Sequence, residues 1–304
     1  MAYDSIMVFK DQFKNHILAE KVHMLNVSFL TPEMRREFGG CAGNIAYNLA
    51  LLGVDVAPLA TVGVDFGPYR EWFEKCGIDQ RYLKEVDNSY TAQAYIITDL
   101  DDNQITAFHP GAMNFADSLD IPLDIETRIG LVSPNGREGM IKHARQYAEA
   151  GIPFMFDPGQ GLPMFSGEEL LGFFEQANWV AVNDYESQLL KDRTGMTEKE
   201  LAARVDALII TMGRDGSRIY TQGKLIEIPM VDPVSVKDPT GCGDAYRAGI
   251  IYGLLNDFDW ETSGRIGALM GSIKIGKHGT QNHSFSFEEL CEEYARTFGG
   301  HFGR

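Results

Sequence analysis

From residue 128 onward, short apolar runs alternate with longer stretches of helical period. The runs at 129–132, 154–156, 179–182 and 207–211 are strand-length. The stretches at 139–150, 168–176, 184–191, 244–255, 260–276 and 287–297 read as helices. Short apolar strands separated by helices predict a parallel sheet covered on both faces. Ligands of such sheets bind at the carboxyl ends of the strands. The chain from Met1 to Pro110 reads differently, as strands and loops with one clear helix. That helix spans 43–52, entered from Gly39-Gly40 and closed by Gly53. Segments 91–98 and 104–108 predict two strands joined by Asp101-Asp102-Asn103.

Composition narrows the function. The chain has 304 residues, 44% of them hydrophobic, enough for one large domain. The net charge of −16 disfavours nucleic acid and anionic membranes as partners. No apolar run approaches the roughly 20 residues of a membrane span. No basic stretch followed by an apolar one marks a signal peptide, and a cytoplasmic location is expected. The four cysteines, Cys41, Cys76, Cys242 and Cys291, form no C-x-x-C pair, and their spacing suggests neither zinc nor a disulfide framework.

The strongest local signal is Asp238-Pro239-Thr240-Gly241-Cys242-Gly243-Asp244, just ahead of a helix. Glycines on both sides of Cys242 allow a tight turn with exposed N–H groups. The helix directs its positive end at the same spot, which makes an anion site. An acid in such a site suits removal of a proton from a hydroxyl that attacks phosphorus. The plainer alternative is a glycine-rich turn with an ordinary capping Asp.

The heptapeptide resembles the D-T-x-G-A-G-D motif of the ribokinase-like, or PfkB-type, kinases. Cys242 stands where that family usually has Ala, and Pro239 precedes Thr240. Gly39-Gly40-Cys41-Ala42-Gly43-Asn44, followed by Thr61-Val62-Gly63-Val64-Asp65, is similar to the family's N-terminal signature. The resemblance implies an α/β chain: a three-layer α/β/α sandwich with a mainly parallel central sheet and a small β lid. It implies one kinase domain over 1–304, with lid segments near 4–38 and 90–112, as monomer or homodimer. Asp244 would be the base, with the amides of Gly241, Cys242 and Gly243 stabilising the transferred phosphoryl group. Gly39, Gly40 and Asn44 would contact the sugar.

Smaller elements extend the resemblance. Asn183-Asp184-Tyr185-Glu186 matches the family's N-x-x-E, with Asn183 near the phosphates and Glu186 organising magnesium through water. The plainer alternative is an ordinary helix cap. Thr211, Gly213 and Gly216 match its nucleotide-contacting T-x-G-x-x-G, and Gly279 lies in the same ATP-binding region. Asp238, with the backbone near Lys274 and Gly279, matches a region that holds a monovalent cation in many members, so ATP, magnesium and potassium are the implied cofactors. Two other motifs mislead. Gly271 to Lys277 imitates a P-loop but continues with His278 at the end of a helical run. Asp65-Phe66-Gly67 imitates a protein-kinase tripeptide without its companion motifs.

Several segments look like the nucleoside-kinase branch: Ala2-Tyr3-Asp4, Arg35-Arg36-Glu37-Phe38, Phe108-His109-Pro110-Gly111-Ala112 and Asp157-Pro158-Gly159-Gln160. There Asp4 would accept bonds from the ribose hydroxyls, and Phe108 or Phe29 would cover a base. The expected reaction is transfer of the ATP γ-phosphoryl group to the 5′-hydroxyl of a ribonucleoside, purines favoured. A ribose or fructose kinase and a silent nucleoside sensor are the rivals. In the family a buried strand and a glycine-containing turn precede the matching Asp, whereas here only Met1, Ala2 and Tyr3 do. An additional apolar strand ahead of Met1 is therefore expected.

Overall fold

A computed structural model describes residues 1–17, 23–24, 26–101 and 103–302, and these form three sheets. Strands β1 (Ala2–Val8) and β2 (Glu33–Gly39) precede helix α1 (Cys41–Leu51). Strand β3 (Ala60–Val62), helix α2 (Gly67–Cys76) and strand β4 (Leu83–Glu85) follow, with β3 and β4 paired in parallel. Strands β5 (Ala92–Thr98) and β6 (Gln104–His109) join the first two in a four-stranded sheet of order β2-β1-β5-β6. In the turn between β5 and β6, the Asp99 carboxylate accepts the N–H groups of Asp101 and Asn103, each at 2.9 Å. Asp102 lies outside the described residues.

The remainder alternates as the apolar runs predict. Its elements are β7 (Gly130–Val132), α3 (Arg137–Ala150), β8 (Phe154–Phe156), α4 (Gly167–Gln176), β9 (Trp179–Asn183), α5 (Asp184–Thr194), α6 (Glu198–Ala202) and β10 (Ala207–Thr211). A hairpin of β11 (Ser217–Thr221) and β12 (Lys224–Ile228) comes next, then α7 (Cys242–Leu255), α8 (Trp260–Ile275) and α9 (Phe287–Phe298). The six strands lie in the order β12-β11-β10-β9-β8-β7. β7 to β10 are parallel, and the hairpin extends them antiparallel.

Side chains alternate across this sheet with period two. Phe154, Phe156, Val180, Val182, Leu208 and Ile210 join one apolar cluster with α3, α4 and α5. Met155, Ala181, Ala207 and Ile209 face the other way, into a cluster with α1, α7, α8 and α9. Helices thus cover both faces, and the three-layer sandwich with a mainly parallel sheet is the observed architecture.

Three features depart from the expectation. Helix α2 is a second helix ahead of Pro110. It starts with Pro68 in its first turn, ends at Gly77 in the left-handed region, and buries Tyr69 and Phe73. The β11–β12 hairpin turns on Gln222 and Gly223, both at positive φ, as a two-residue hairpin turn requires. Asp65, of the misleading tripeptide, is structural: its carboxylate accepts Thr91 N–H at 2.7 Å, Gln93 at 3.1 Å and Arg36 at 3.0 Å. It ties the four-stranded sheet to the loop after β3.

β1 runs in that four-stranded sheet and not beside β7. A cleft of about 1410 Å³ lies between the β3 and β7 regions, lined by Leu49, Leu52, Ala60, Leu131, Tyr147 and Ile251 among others. Among the described residues β3 pairs only with β4 and β7 only with β8, so each presents an unpaired edge. The Met1 amine is buried at the same cleft, and burial pulls its pKa below the usual value. A strand placed there would meet an unpaired strand edge on either side. A six-residue apolar strand fused ahead of Met1 is expected to raise Tm by roughly 4–8 °C, as a net gain of about 2 kcal/mol does in a large domain. The measurement is a thermal melt of the two chains side by side, and an equal or lower Tm for the extended chain would show that the cleft needs no strand.

Candidate active site

Two helix N-termini meet in one pocket. Gly241, at φ 82°, caps α7 in a conformation that side-chain-bearing residues rarely adopt. The first helical bond of α7 runs from Ala245 N to Gly241 O, at 3.0 Å, so the N–H groups of Gly243 and Asp244 lie ahead of the helical ladder. The Cys242 N–H is turned back onto the Pro239 carbonyl at 3.1 Å. That commitment takes Cys242 out of the amide trio expected from the sequence and leaves Gly241 and Gly243. Helix α1 starts beside it after Gly40, and Asn44 Nδ2 donates to Asp244 Oδ2 at 2.7 Å. Burial pushes the Asp244 pKa up. Asn44, the Arg247 guanidinium and the Cys41 thiol oppose that, while Glu186 adds to it.

Asp4 enters from β1. Burial, then the charges of Asp244, Asp238 and Glu37, lift its pKa to about 6. Its carboxylate lies against Gly39, where any Cβ would collide with it. Asp4 pairs with Glu37 on one side and Ala94 on the other, and Ala94 pairs with Phe108. Directly paired residues point to the same face. Asp4 and Phe108 therefore share a face two strands apart, roughly 9–10 Å at ordinary strand spacing. The small Ala94 between them leaves an open trough, and Phe108 is 52% exposed above it. Phe29 is placed elsewhere, packed against Phe9 and Phe13.

The carboxyl ends of the parallel strands form the opposite wall. Asn183 and Thr211 are paired neighbours at the ends of β9 and β10. Gly213 and Gly216, both at positive φ, shape the turn after β10. Asn183 is a helix cap: its side chain accepts Glu186 N–H at 2.7 Å, and Glu186 returns the bond to Asn183 N–H at 2.8 Å. Glu186 also faces Arg247 Nη2 at 3.9 Å.

Arg247, one turn after Asp244, is a site residue that sequence reasoning missed. It is 6% exposed and lies 2.7 Å from Asp157, which is 1% exposed. Neither facing atom makes an aligned hydrogen bond, so the contact is mainly Coulombic. Burial outweighs it and lifts the Asp157 pKa to about 7. The visible signal was one arginine inside the apolar run Ala245–Gly253, but its partners stand far back along the chain, after β8 and in the first turn of α5.

The cation expected at Asp238 meets an occupied site. The Asp238 side chain accepts the N–H groups of Thr240 and Gly279, each at 2.9 Å. The Asp238 carbonyl accepts the Lys274 ammonium at 2.6 Å, and the Lys277 carbonyl accepts it at 3.3 Å. Lys274 is completely buried, so the carbonyls a monovalent ion would use already hold a cation, and a second does not fit. Among the described residues no three His, Cys, Asp or Glu side chains gather to hold a metal. Glu186 alone suits an ion that arrives with its own phosphate and water ligands.

The model of the pfkB family carbohydrate kinases matches residues 4–286. The nucleoside kinase of Methanocaldococcus jannaschii is 35% identical over 275 residues, 90% of this chain and 90% of that protein. Among solved structures, the Burkholderia thailandensis nucleoside kinase in complex with inosine is 46% identical, with a TM-score of 0.88 over 99% of this chain and 96% of that one. The same kinase in complex with ADP-inosine is 48% identical, with a TM-score of 0.86 over 99% and 94%.

Removing Arg247 leaves three carboxylates, Asp157, Glu186 and Asp244, without their counter-charge. Arg247→Met is expected to cost about 3–5 kcal/mol, and Arg247→Met with Asp157→Asn distinctly less than the sum of the two. Asp157 titrates near 7 in the folded chain and near 3.8 when unfolded, so the native state holds the extra proton between those values. The group therefore makes the fold less stable as pH rises toward 7, and the Arg247→Met loss should be larger at pH 8 than at pH 6. Urea unfolding of the four chains at both pH values measures this, and additive, pH-independent losses would contradict it.

Proposed function

This chain belongs to the pfkB family of carbohydrate kinases, and from that premise we propose that it transfers the γ-phosphoryl group of ATP to the 5′-hydroxyl of a ribonucleoside, with purine nucleosides favoured. The observation that carries the reading is the trough between Asp4 and Phe108, opening onto the Asp244 carboxylate at the start of α7. Two relatives named as nucleoside kinases, one of them solved with inosine and with ADP-inosine, support the same substrate class.

On this reading the Asp4 carboxylate accepts both ribose hydroxyls, and the backbone at Gly39 and Gly40 allows the sugar to approach closely. The Phe108 face covers the base, and the free hydrogen of the Asn44 amide reaches the sugar. Asp244 removes the proton of the 5′-hydroxyl as the new O–P bond forms. The bond from the γ-phosphorus to the bridging oxygen breaks, and ADP leaves with those electrons. The amides of Gly241 and Gly243 and the positive end of α7 face the charge on the transferred group. Asn183, Thr211, Gly213, Gly216 and Gly279 border the nucleotide. Magnesium enters with ATP as part of that substrate, with Glu186 ordering its water shell. The four-stranded sheet, lid segments near 4–38 and 90–112, closes over the site and excludes water.

Asp244→Asn should fold and bind nucleotide but lose turnover by about 10²–10⁴-fold. Adenosine or inosine should exceed 2′-deoxyadenosine, ribose and fructose in kcat/KM, because a buried carboxylate built for two hydroxyls is left unpaired without them. Asp4→Ala should raise KM for the nucleoside far more than for ATP. Steady-state kinetics over that panel decides it. A free sugar at the top would transfer the assignment to a sugar kinase, and nucleoside binding without turnover would indicate a sensor.

Lys274 serves as the resident cation beside the anion site, in place of a potassium ion. Turnover should then be equal in potassium, sodium and tetramethylammonium chloride at one ionic strength. Lys274→Met, which empties the two carbonyls, should lose turnover and regain part of it in potassium alone. Activation of the unmodified chain by potassium would overturn this role.

A further inference from the structure

Asp244 is joined to a chain of buried amides whose polarity is fixed at both ends. At one end the Trp72 indole N–H donates to Gln281 Oε1 at 2.9 Å. An indole nitrogen can only donate, so the oxygen of Gln281 must face it. The Gln281 NH2 group then points the other way and uses both hydrogens. One goes to Asn44 Oδ1 at 3.0 Å, the other to the Tyr69 hydroxyl at 2.6 Å. Tyr69 passes its own hydrogen to the Gly39 carbonyl at 3.0 Å, and a carbonyl can only accept. Asn44 Oδ1 is thereby held as an acceptor, and its NH2 group has to face Asp244 Oδ2 at 2.7 Å.

We propose that Gln281 and Trp72 are positioning residues for the reaction: they fix the direction of the Asn44 amide, so that it always offers Asp244 a hydrogen and never a lone pair. The inference rests on the reading of Asp244 as the base. An amide side chain is nearly symmetrical in shape, and only its partners decide which way it points. Turned over, Asn44 would set its oxygen against the carboxylate. Asp244 would then hold its proton more tightly, and a protonated acid cannot accept another from the substrate. Gln281 is 2% exposed and Tyr69 is fully buried, so water is kept from the two bonds that the Gln281 NH2 group makes.

Asp244 has other neighbours that also set its charge. The Cys41 thiol and Asn44 face it from α1, and Cys242 and Arg247 from its own helix. Asp157 from the end of β8 and Glu186 from α5 add negative charge. Asp4 does so from β1, and Lys274 from α8 adds positive charge. Of these groups only Asn44 bonds to Gln281, so a neutral change at Gln281 reaches Asp244 through the amide chain.

The test is the pH profile of kcat/KM for the nucleoside, from pH 5 to 9, in the unmodified chain, Gln281→Met and Trp72→Phe, with Asp244→Asn as control. Gln281→Met is nearly the same length and carries no donor. It should move the acid limb up by about one pH unit, a roughly tenfold loss on the acid side. The alkaline plateau and the KM for ATP should stay within about twofold, because the other groups around Asp244 remain. Trp72→Phe removes one of the two anchors and should shift the limb less, in the same direction. A uniform loss at all pH values with the limb unmoved, or no change, would overturn the role and leave Gln281 a packing residue. If Gln281→Met melts below the assay temperature, the Trp72→Phe limb decides alone. Full turnover by Asp244→Asn would instead remove the base reading. An inactive Asp244→Asn beside unmoved limbs would remove only the amide chain.

Discussion

A carboxylate that takes a proton from an alcohol must be shielded from water and still remain charged. Those demands oppose each other, since burial favours the neutral form. At Asp244, the proposed base, the conflict is met by fixed dipoles and one fixed charge. The start of α7 turns its N–H groups toward the pocket, Asn44 adds a donor, and Arg247 supplies the counter-charge from one turn further along. Arg247 does this by standing among Asp157, Glu186 and Asp244, so its own burial depends on all three. The pocket is therefore tied to the ends of β8 and β9 as firmly as to α7. None of these parts would be stable in place without the others.

The same constraint explains why the two halves of the chain meet where they do. α1 follows the second strand of the chain and α7 follows the last, yet both begin at this point, and their apolar faces share one core. Each start needs a glycine at positive φ, Gly40 and Gly241. Gly39 then admits the Asp4 carboxylate, so the four-stranded sheet is fixed against the same pocket. The fold places a wall of strand ends on one side and, on the other, a thin sheet that is largely buried along β1 and exposed along β6. β6 is exposed along its whole length, so few apolar contacts hold it, as the proposed lid requires.

What could be read in the sequence follows from how local each signal is. Strands β8, β9 and β10 and helix α7 were legible because burial on both sheet faces forces continuous apolar runs. Asp244, Asn44 and Asp238 were legible because their turns carry glycines at fixed spacing. Helix α2 was not: Tyr69, Trp72, Phe73 and Cys76 line one face, but the helix has only 10 residues, carries Glu71, Glu74 and Lys75 on its exposed side, and its start is marked by a single proline. Arg247, Gln281 and Trp72 were not, because each acts on a group in a distant element of the chain: Arg247 on Asp157 and Glu186, Trp72 on Gln281, and Gln281 on Asn44 and Tyr69. No spacing rule reaches that far. Lys274 was noticed for its backbone, and its side chain proved to matter more. A long charged side chain at the end of an apolar helix can bury its ammonium as readily as expose it, and only the positions of the Asp238 and Lys277 carbonyls decide between them.

The charge of the pocket bears on the form in which a nucleotide can enter. Asp4, Glu37, Asp157, Glu186, Asp238 and Asp244 lie around it, against Arg247 and Lys274 as buried cations. Both buried cations are held by groups of the protein, so neither is at liberty to cross the pocket and neutralise a phosphate, and the partly exposed Arg35 already faces Glu37 and Asp238. Uncomplexed ATP, with roughly four negative charges, would meet net repulsion that the dipoles of two helix starts only partly offset. Magnesium bound to the phosphates removes about half of that charge before entry. It also keeps several waters, and a single carboxylate such as Glu186 can order those without direct coordination. On the proposed reading, an acidic pocket with no metal cluster among its described residues therefore selects the metal-bound nucleotide by electrostatics. On the same reading, the carboxylates that would repel an anion are tolerated because the hydroxyl substrate would need two of them, Asp4 to hold its diol and Asp244 to take its proton.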